Sequence, residues 1–387
     1  MRFPEIEYQP LDIIKRFQEE KLRENLDYLN SSSPFYRKMF EYNHIDVSKI
    51  RTIEDLQNIP FTDKKDLQQH NRDFICVPKD KIIDYITTSG TTGDGPSTIM
   101  EASMQVDLCH HDYPDLWQKG IWMDEFPKEL RELHDELAPV SEEIIDALYE
   151  GLVDEKPEKY EKMYADIVAA TERKNAWLCE RIAYWKAQGK TVGLLGGDHS
   201  TPLAYHQYLN KQGVEYGILH ADAHMDLRDT FEGFKYSHAS IFYNTLKFNK
   251  VKKLVQVGIR DYCHQEKALA ESQPERVKVF FDRDNRRRMY EGATWKTIVD
   301  EMVAALPQKT YISIDIDALD PKLCPNTGTP VPGGLEYEEL MYLLNRIREA
   351  GKEIIGFDLC EVSPGDGDWD GNVGARVLFH LCGVAAK

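Results

Sequence analysis

The chain has 387 residues, with 48 Lys and Arg against 66 Asp and Glu, and a formal charge of −18. That acidic balance disfavours nucleic-acid and anionic membrane partners and suits metal ions and small cations. Its 42% hydrophobic and 29% charged content describes an ordinary globular protein with room for more than one domain, and no apolar run approaches the ~20 residues of a membrane helix.

The opening MRFPEIEYQP is acidic and aromatic, unlike a secretory leader. The seven cysteines are scattered and never form a CxxC pair, so the expectation is a cytoplasmic chain with free thiols. An amphipathic pattern over Leu11–Leu29 predicts a helix, SSSPFY breaks it, and a polar helix follows. IIDYITTSG reads as one β-branched strand entering a Gly/Thr/Ser loop. From Trp122 to about Trp185 the composition is acidic and apolar positions recur at helical spacing, as in Leu130, Leu133 and Leu137.

After Gly189 short apolar runs recur: TVGLLGG, VEYGILHA, KLVQVGI, VKVFF, TYISIDI and EIIGFDL, separated by helical spans such as PLAYHQYLNKQG and YEELMYLLNRIREAG. Buried strands alternating with helices predict an α/β fold with a parallel sheet covered on both faces, and chemistry at the carboxyl edge of its strands. RDNRRR at 283–288 is expected in a surface loop or at a subunit contact.

Three polar clusters end predicted strands: GGDHS around His199, HADAHMD around Asp222, His224 and Asp226, and SIDIDALD around Asp315 and Asp317. Alternation along a strand would place Asp222, His224 and Asp226 on one face, and Asp315 with Asp317. Any one of these clusters has an ordinary structural explanation: a DxD often caps a turn, GGDHS makes a tight strand-to-helix turn, and a lone His224 would be a hydrogen-bonded core residue. Together they bring four carboxylates and two imidazoles to one sheet edge, a density that needs cations. Oxygen and imidazole donors without thiolates favour Mn²⁺ over Zn²⁺, and six donors suit a two-ion centre that makes hydroxide from water. His220 shares the face but lies deeper, and supports a ligand instead of acting as one.

GGDHS, DAHMD, SIDIDALDP and CPNTGTPVPGG, with GPSTIMEAS, VGIRD, FDLCEVSP and NVGAR, resemble the ureohydrolase family of arginases and agmatinases over about residues 94–387. The resemblance implies a three-layer α/β/α arginase-like domain holding about two Mn²⁺. One ion would lie on His199, Asp222, Asp226 and Asp315, the other on Asp222, His224, Asp315 and Asp317. It implies that Glu361 orients the guanidinium, His238 shuttles a proton, and Asp226 orients the attacking hydroxide. Urea and an amine would leave, and the family's habit implies a homo-oligomer, a trimer or hexamer.

Within the family, DTFEGFKYSH at 229–238 is closer to the YEGxxYSH run of agmatinases than to the loop with which arginases hold an α-carboxylate. Arginases read GLRDVD where this chain reads GIRDYC, so Cys263 replaces the carboxylate that meets the α-ammonium. The expected substrate is therefore agmatine, with Glu232 drawing a distal amine. Arginine or another guanidino acid is the alternative within the family, with Lys235 available to a carboxylate.

Residues 33–93, from SPFYRKMFEYNHIDVSKIRTIEDLQNIPFTDKKDL to SGTTG, resemble the opening segment of phenylacetate–CoA ligase-type adenylate-forming enzymes. The organisation expected is thus a helical appendage over 1–93 and a ureohydrolase domain over 94–387. IIDYITTSG is a candidate replacement for the family's first strand, which is otherwise missing upstream. The different-class alternative, an acyl-adenylating ligase, lacks that enzyme's later motifs.

Overall fold

A computed structural model describes residues 6, 9–62, 66, 71–74, 76, 84–89, 95–124, 126–365 and 367–386. The chain divides into two compact units, 1–82 and 83–387. In the first, helices α1 (Leu11–Ser32) and α2 (Pro34–Tyr42) enclose a small core of Leu26, Phe40 and Ile50. Ser33 ends one helix and starts the next: its Oγ accepts the Tyr36 N–H at 3.3 Å and donates to the Asp73 carbonyl at 3.0 Å. Of the SGTTG run, only Ser89 lies inside the described residues.

The second unit is built on eight parallel strands: β1 (Asp84–Ser89), β2 (Ile121–Asp124), β3 (Thr191–Gly196), β4 (Tyr216–Ala221), β5 (Val251–Val257), β6 (Val277–Phe280), β7 (Lys309–Asp315) and β8 (Glu353–Cys360). Their order across the sheet is β2-β1-β3-β8-β7-β4-β5-β6. The six runs expected after Gly189 are all strands. The seventh, β1, pairs with β2 on one side and β3 on the other, so it is an inner strand, and the boundary placed at 93/94 from the sequence falls after it. β2 lies at the start of the stretch read as helical. Its four residues are too few to show alternation, and the strand is fixed from outside it: Asp124 accepts from the Arg181 guanidinium and from Trp185 Nε1 at 3.0 Å.

Alternation divides the sheet's side chains between two layers. Leu195, Leu219, Val255, Ile312 and Phe357 pack with helices α3 (Gly95–Ser103), α10 (Trp295–Ala305), α11 (Tyr337–Glu349) and α12 (Trp369–Ala385) in one core. On the other face Tyr311 stacks edge-on against Tyr205, 5.0 Å between ring centroids, and the Tyr205 hydroxyl donates to the Ile355 carbonyl. That face carries α4 (Lys128–Tyr149), α5 (Pro157–Ala187), α6 (Leu203–Lys211) and α7 (Ile241–Thr245). Helices α8 (His264–Ser272) and α9 (Asp282–Tyr290) follow β5 and β6. The result is the expected three-layer α/β/α fold.

RDNRRR lies within α9 instead of a loop. Three of its four arginines meet carboxylates of the same chain: Arg286 with Glu339 at 2.8 Å, Arg288 with Glu301 at 2.5 Å, and Arg287 with Glu291 at 2.9 Å. No helix among the described residues is long and apolar enough to cross a membrane.

Candidate metal centre

The three polar clusters lie at the carboxyl ends of β3, β4 and β7, adjacent in the sheet apart from β8 between β3 and β7. Strand alternation is not what gathers them. β4 stops at Ala221 and β7 at Asp315, so Asp222, His224, Asp226 and Asp317 stand on the turns that follow. Asp226 takes a left-handed backbone, φ 54°, which turns its side chain back toward the sheet. Gly258, at the end of β5 with φ 88°, carries no Cβ; one built there would lie 2.9 Å from the Asp222 carbonyl oxygen.

These turns bring all six expected ligands together. Around His199 Nδ1 lie Asp222 Oδ2 at 3.0 Å, Asp226 Oδ2 at 3.2 Å and Asp315 Oδ2 at 3.3 Å. Around His224 Nδ1 lie Asp222 Oδ1 at 3.3 Å and Asp317 Oδ2 at 3.1 Å. Asp222 thus presents one oxygen to each imidazole.

The proton arrangement around His199 fits a cation. Ser313 Oγ donates to Asp358 Oδ1 at 3.0 Å, so at 2.9 Å from His199 Nε2 it is the acceptor, and Nε2 carries the hydrogen. Nδ1 then faces the three carboxylates. Burial lowers the His199 value, yet hydrogen bonds to Asp222, Asp226 and Asp315 raise it well above the usual histidine range. Three of the four carboxylates rise as well, whereas Asp222, buried but facing His220, His199 and His224, falls well below the ordinary range. Burial and then the Asp222 charge lift Asp226 to about 7, and burial with the charges of Asp317 and Asp222 lifts Asp315 well above the ordinary range. A cluster of this composition calls for added positive charge at its centre, and its oxygen and imidazole donors suit a divalent ion.

His220 occupies the supporting place expected of it. Gln256 Nε2 lies 2.9 Å from His220 Nδ1, and His220 Nε2 is 2.7 Å from Asp222 Oδ2. The amide nitrogen donates to Nδ1, so the ring donates from Nε2 and fixes the Asp222 carboxylate.

Glu361 stands just beyond β8 with φ 64°. Its Oε1 accepts the His199 N–H at 2.9 Å, and its own N–H donates to the Gly197 carbonyl at 2.7 Å. Burial and then the Asp198 charge push its carboxyl up to about 8. His238 does not join the cluster. It opens a short 3₁₀ turn and lines a neighbouring cavity of about 360 Å³ together with Asp198, Ser200 and Glu232.

Three supporting residues were not legible as such. Asp358 and Ser313 set the His199 tautomer, and their signal was the polar pair inside otherwise apolar strands. Arg260, in VGIRD, donates to the backbone carbonyls of Gly258 (3.0 Å), Asp317 (2.7 Å), Leu319 (3.2 Å) and Val331 (2.9 Å), which fixes the turn bearing Asp317. An arginine that spends its donors on backbone leaves no pattern in a sequence.

The chain is similar to known proteins in sequence and in fold. N(1)-aminopropylagmatine ureohydrolase of Thermus thermophilus is 39% identical over 197 residues, 51% of this chain and 63% of that protein. Proclavaminate amidinohydrolase of Streptomyces clavuligerus is 34% identical over 44% of this chain and 53% of its own length. The chain therefore matches somewhat under two thirds of these relatives. Among solved structures, a hypothetical agmatinase from Burkholderia thailandensis aligns with a TM-score of 0.56 at 20% identity, over 78% of this chain and 85% of that one, a likeness of fold. A model of the arginase family matches residues 74–383, well over half of the sequence, and the chain belongs to that family.

Proposed function

We propose that the protein hydrolyses a guanidino compound to urea and an amine, and that its substrate is of the agmatine type. The observation that carries the reaction is the sharing of Asp222 between two imidazole–carboxylate groups, with Glu361 joined to His199 beside them. His199, Asp222, Asp226 and Asp315 would hold one Mn²⁺, and Asp222, His224, Asp315 and Asp317 a second. Such ions, when bound, supply activated water and neutralise the carboxylates.

The chain's own residues do the rest. Glu361 Oε1 is already held by the His199 amide, so Oε2 is the oxygen that receives the planar guanidinium and aligns its carbon. Asp226 accepts a hydrogen bond from the attacking water and orients it. His238, on the cavity wall, passes a proton to the departing amine.

The substrate reading rests on what would meet an amino acid's head group. Cys263 caps α8, and its backbone N–H binds Glu266 Oε2 at 2.9 Å. Glu266 is itself buried and also accepts the Leu227 N–H, so it is committed to the turn. An α-ammonium would find no carboxylate at position 263. A buried charge without a partner costs several kcal/mol, enough to invert a preference between arginine and its decarboxylated analogue. The name carried by the Thermus relative points the same way.

The test is urea release, with Mn²⁺ added, from agmatine, arginine and 4-guanidinobutyrate side by side. No urea from any of them, nor from a longer-chain guanidine, would overturn the reaction. A higher kcat/KM for arginine would overturn the substrate.

A further inference from the structure

Beside the metal centre lies a cavity of about 360 Å³, walled by α4, α5, the turn after β3 and the loop 231–238. Its size falls within the range of small-molecule sites, about 300–1,000 Å³. It adjoins the guanidinium-orienting carboxylate: Asp198 on its wall precedes His199, whose amide binds Glu361. His238 lines it too.

Three charged groups on this wall have partners within the chain. Asp198 Oδ1 accepts from the Ser200 N–H at 3.0 Å and from Ser200 Oγ at 2.5 Å, and the Lys174 ammonium lies 3.5 Å from that hydroxyl. Glu232 accepts from the Tyr149 hydroxyl at 2.9 Å. Between these two ends the lining is mostly hydrocarbon, with Leu130, Leu133 and Leu137 from α4, Ile167 and Ala170 from α5, and Phe234 from the loop, interrupted by His134, Ser141 and Thr171. Pro139, inside α4, removes a backbone donor from the helix beside this wall.

We propose that this cavity receives the substrate's N-substituent, and that the substituent carries a hydrocarbon segment longer than the butyl chain of agmatine, reaching from Glu361 toward Glu232. This rests on the reading of the site as a guanidine hydrolase and narrows its substrate class. A short chain would leave apolar wall exposed to water, whereas each added methylene buried there gains affinity until the cavity is full.

Calorimetric binding of N-alkylguanidines from butyl to decyl to the Mn²⁺-loaded protein tests this apart from turnover. Affinity should rise about fourfold per methylene and then level off. Ala138→Phe in α4 and Ala170→Phe in α5, both half-buried in the cavity wall, should each flatten that rise and lower kcat/KM for long-tailed guanidines relative to agmatine by about tenfold. Urea from agmatine with affinity independent of chain length would overturn the tail assignment and leave the reaction standing. No urea from any guanidine would overturn the reaction, and the tail assignment with it. Two variants on facing helices keep the test usable if one fails to fold.

Discussion

The backbone N–H of His199 donates to Glu361 Oε1 at 2.9 Å, and the Glu361 N–H donates to the Gly197 carbonyl at 2.7 Å. A residue that would hold metal and a residue that would hold substrate are thus tied across β3 and β8, which are neighbours in the sheet. Because the tie runs through the peptide of His199 and not its ring, changing the Glu361 side chain should leave the ligand atoms in place. Glu361→Gln is expected to lower kcat/KM about a hundredfold while Mn²⁺ content, read by elemental analysis, stays at the wild-type level. Joint loss of metal and activity would contradict a role confined to the guanidinium.

Asp222 and His224 should behave differently from each other. Asp222 faces both imidazole groups, whereas the His224 ring meets Asp222 and Asp317. Wild-type protein should carry about two Mn²⁺ per chain. Asp222→Asn should lose both ions and nearly all turnover, and His224→Ala should lose one preferentially. Equal retention in the two variants, measured on dialysed protein, would contradict a shared Asp222.

How much of this was readable beforehand depended on period and proximity along the chain. Strands such as TVGLLG and YISID announce themselves because burial on both faces demands continuous apolar residues. The six candidate ligands could be grouped because each lies within a few residues of a strand end. The reason given for their convergence, alternation along a strand, differs from the turns that produce it: Asp226 reaches the cluster through a left-handed backbone that no side-chain pattern encodes. β2 escaped because four residues show no period and its anchors, Arg181 and Trp185, lie about sixty positions away. Ser313 and Asp358 looked like isolated polar residues until β7 and β8 paired them.

Asn175 on α5 is 1% exposed, and neither its Oδ1 nor its Nδ2 has a hydrogen-bond partner among the described residues. An amide desolvated without partners costs about 1–3 kcal/mol. Asn175→Leu, close in volume, should therefore raise the free energy of unfolding by about 1 kcal/mol, read from urea denaturation. A loss of stability would mean that the amide is satisfied by bound water.

Acid stability should carry the mark of His206. The ring is fully buried, its Nδ1 lies 2.9 Å from the Tyr216 hydroxyl, and burial, with the charges of His199 and His220, depresses its value to about 3. Unfolded histidine titrates near ~6.5. Between those values the unfolded chain binds a proton that the native one refuses, so stability falls as pH falls below about 6.5, by about 1.4 kcal/mol per unit from this residue, and is unaffected above it. Urea unfolding at pH 7.5, 6.5 and 5.5 should show a smaller acid loss for His206→Gln than for wild type by about that amount per unit, with no difference in slope between pH 7.5 and 6.5. Parallel acid slopes would show that His206 is protonated in the folded protein.

The last prediction concerns where the second unit begins. β1 pairs with β3 from Asp84 opposite Thr191 to Ser89 opposite Gly196, and with β2 from Asp84 opposite Ile121 to Thr87 opposite Asp124. A fragment starting at residue 94 would remove an inner strand. It would strand β2 away from the sheet and expose one edge of β3, whose six residues are all buried in the intact unit. An uncovered apolar edge pairs with other chains. A fragment starting at residue 83 keeps both ladders and coincides with the division into compact units. Expressed side by side, residues 83–387 should be soluble and show the same cooperative unfolding as that unit in the full chain, and residues 94–387 should aggregate. Two soluble fragments of equal stability would show that β1 is dispensable, and two insoluble ones that residues 1–82 are needed for folding of the rest.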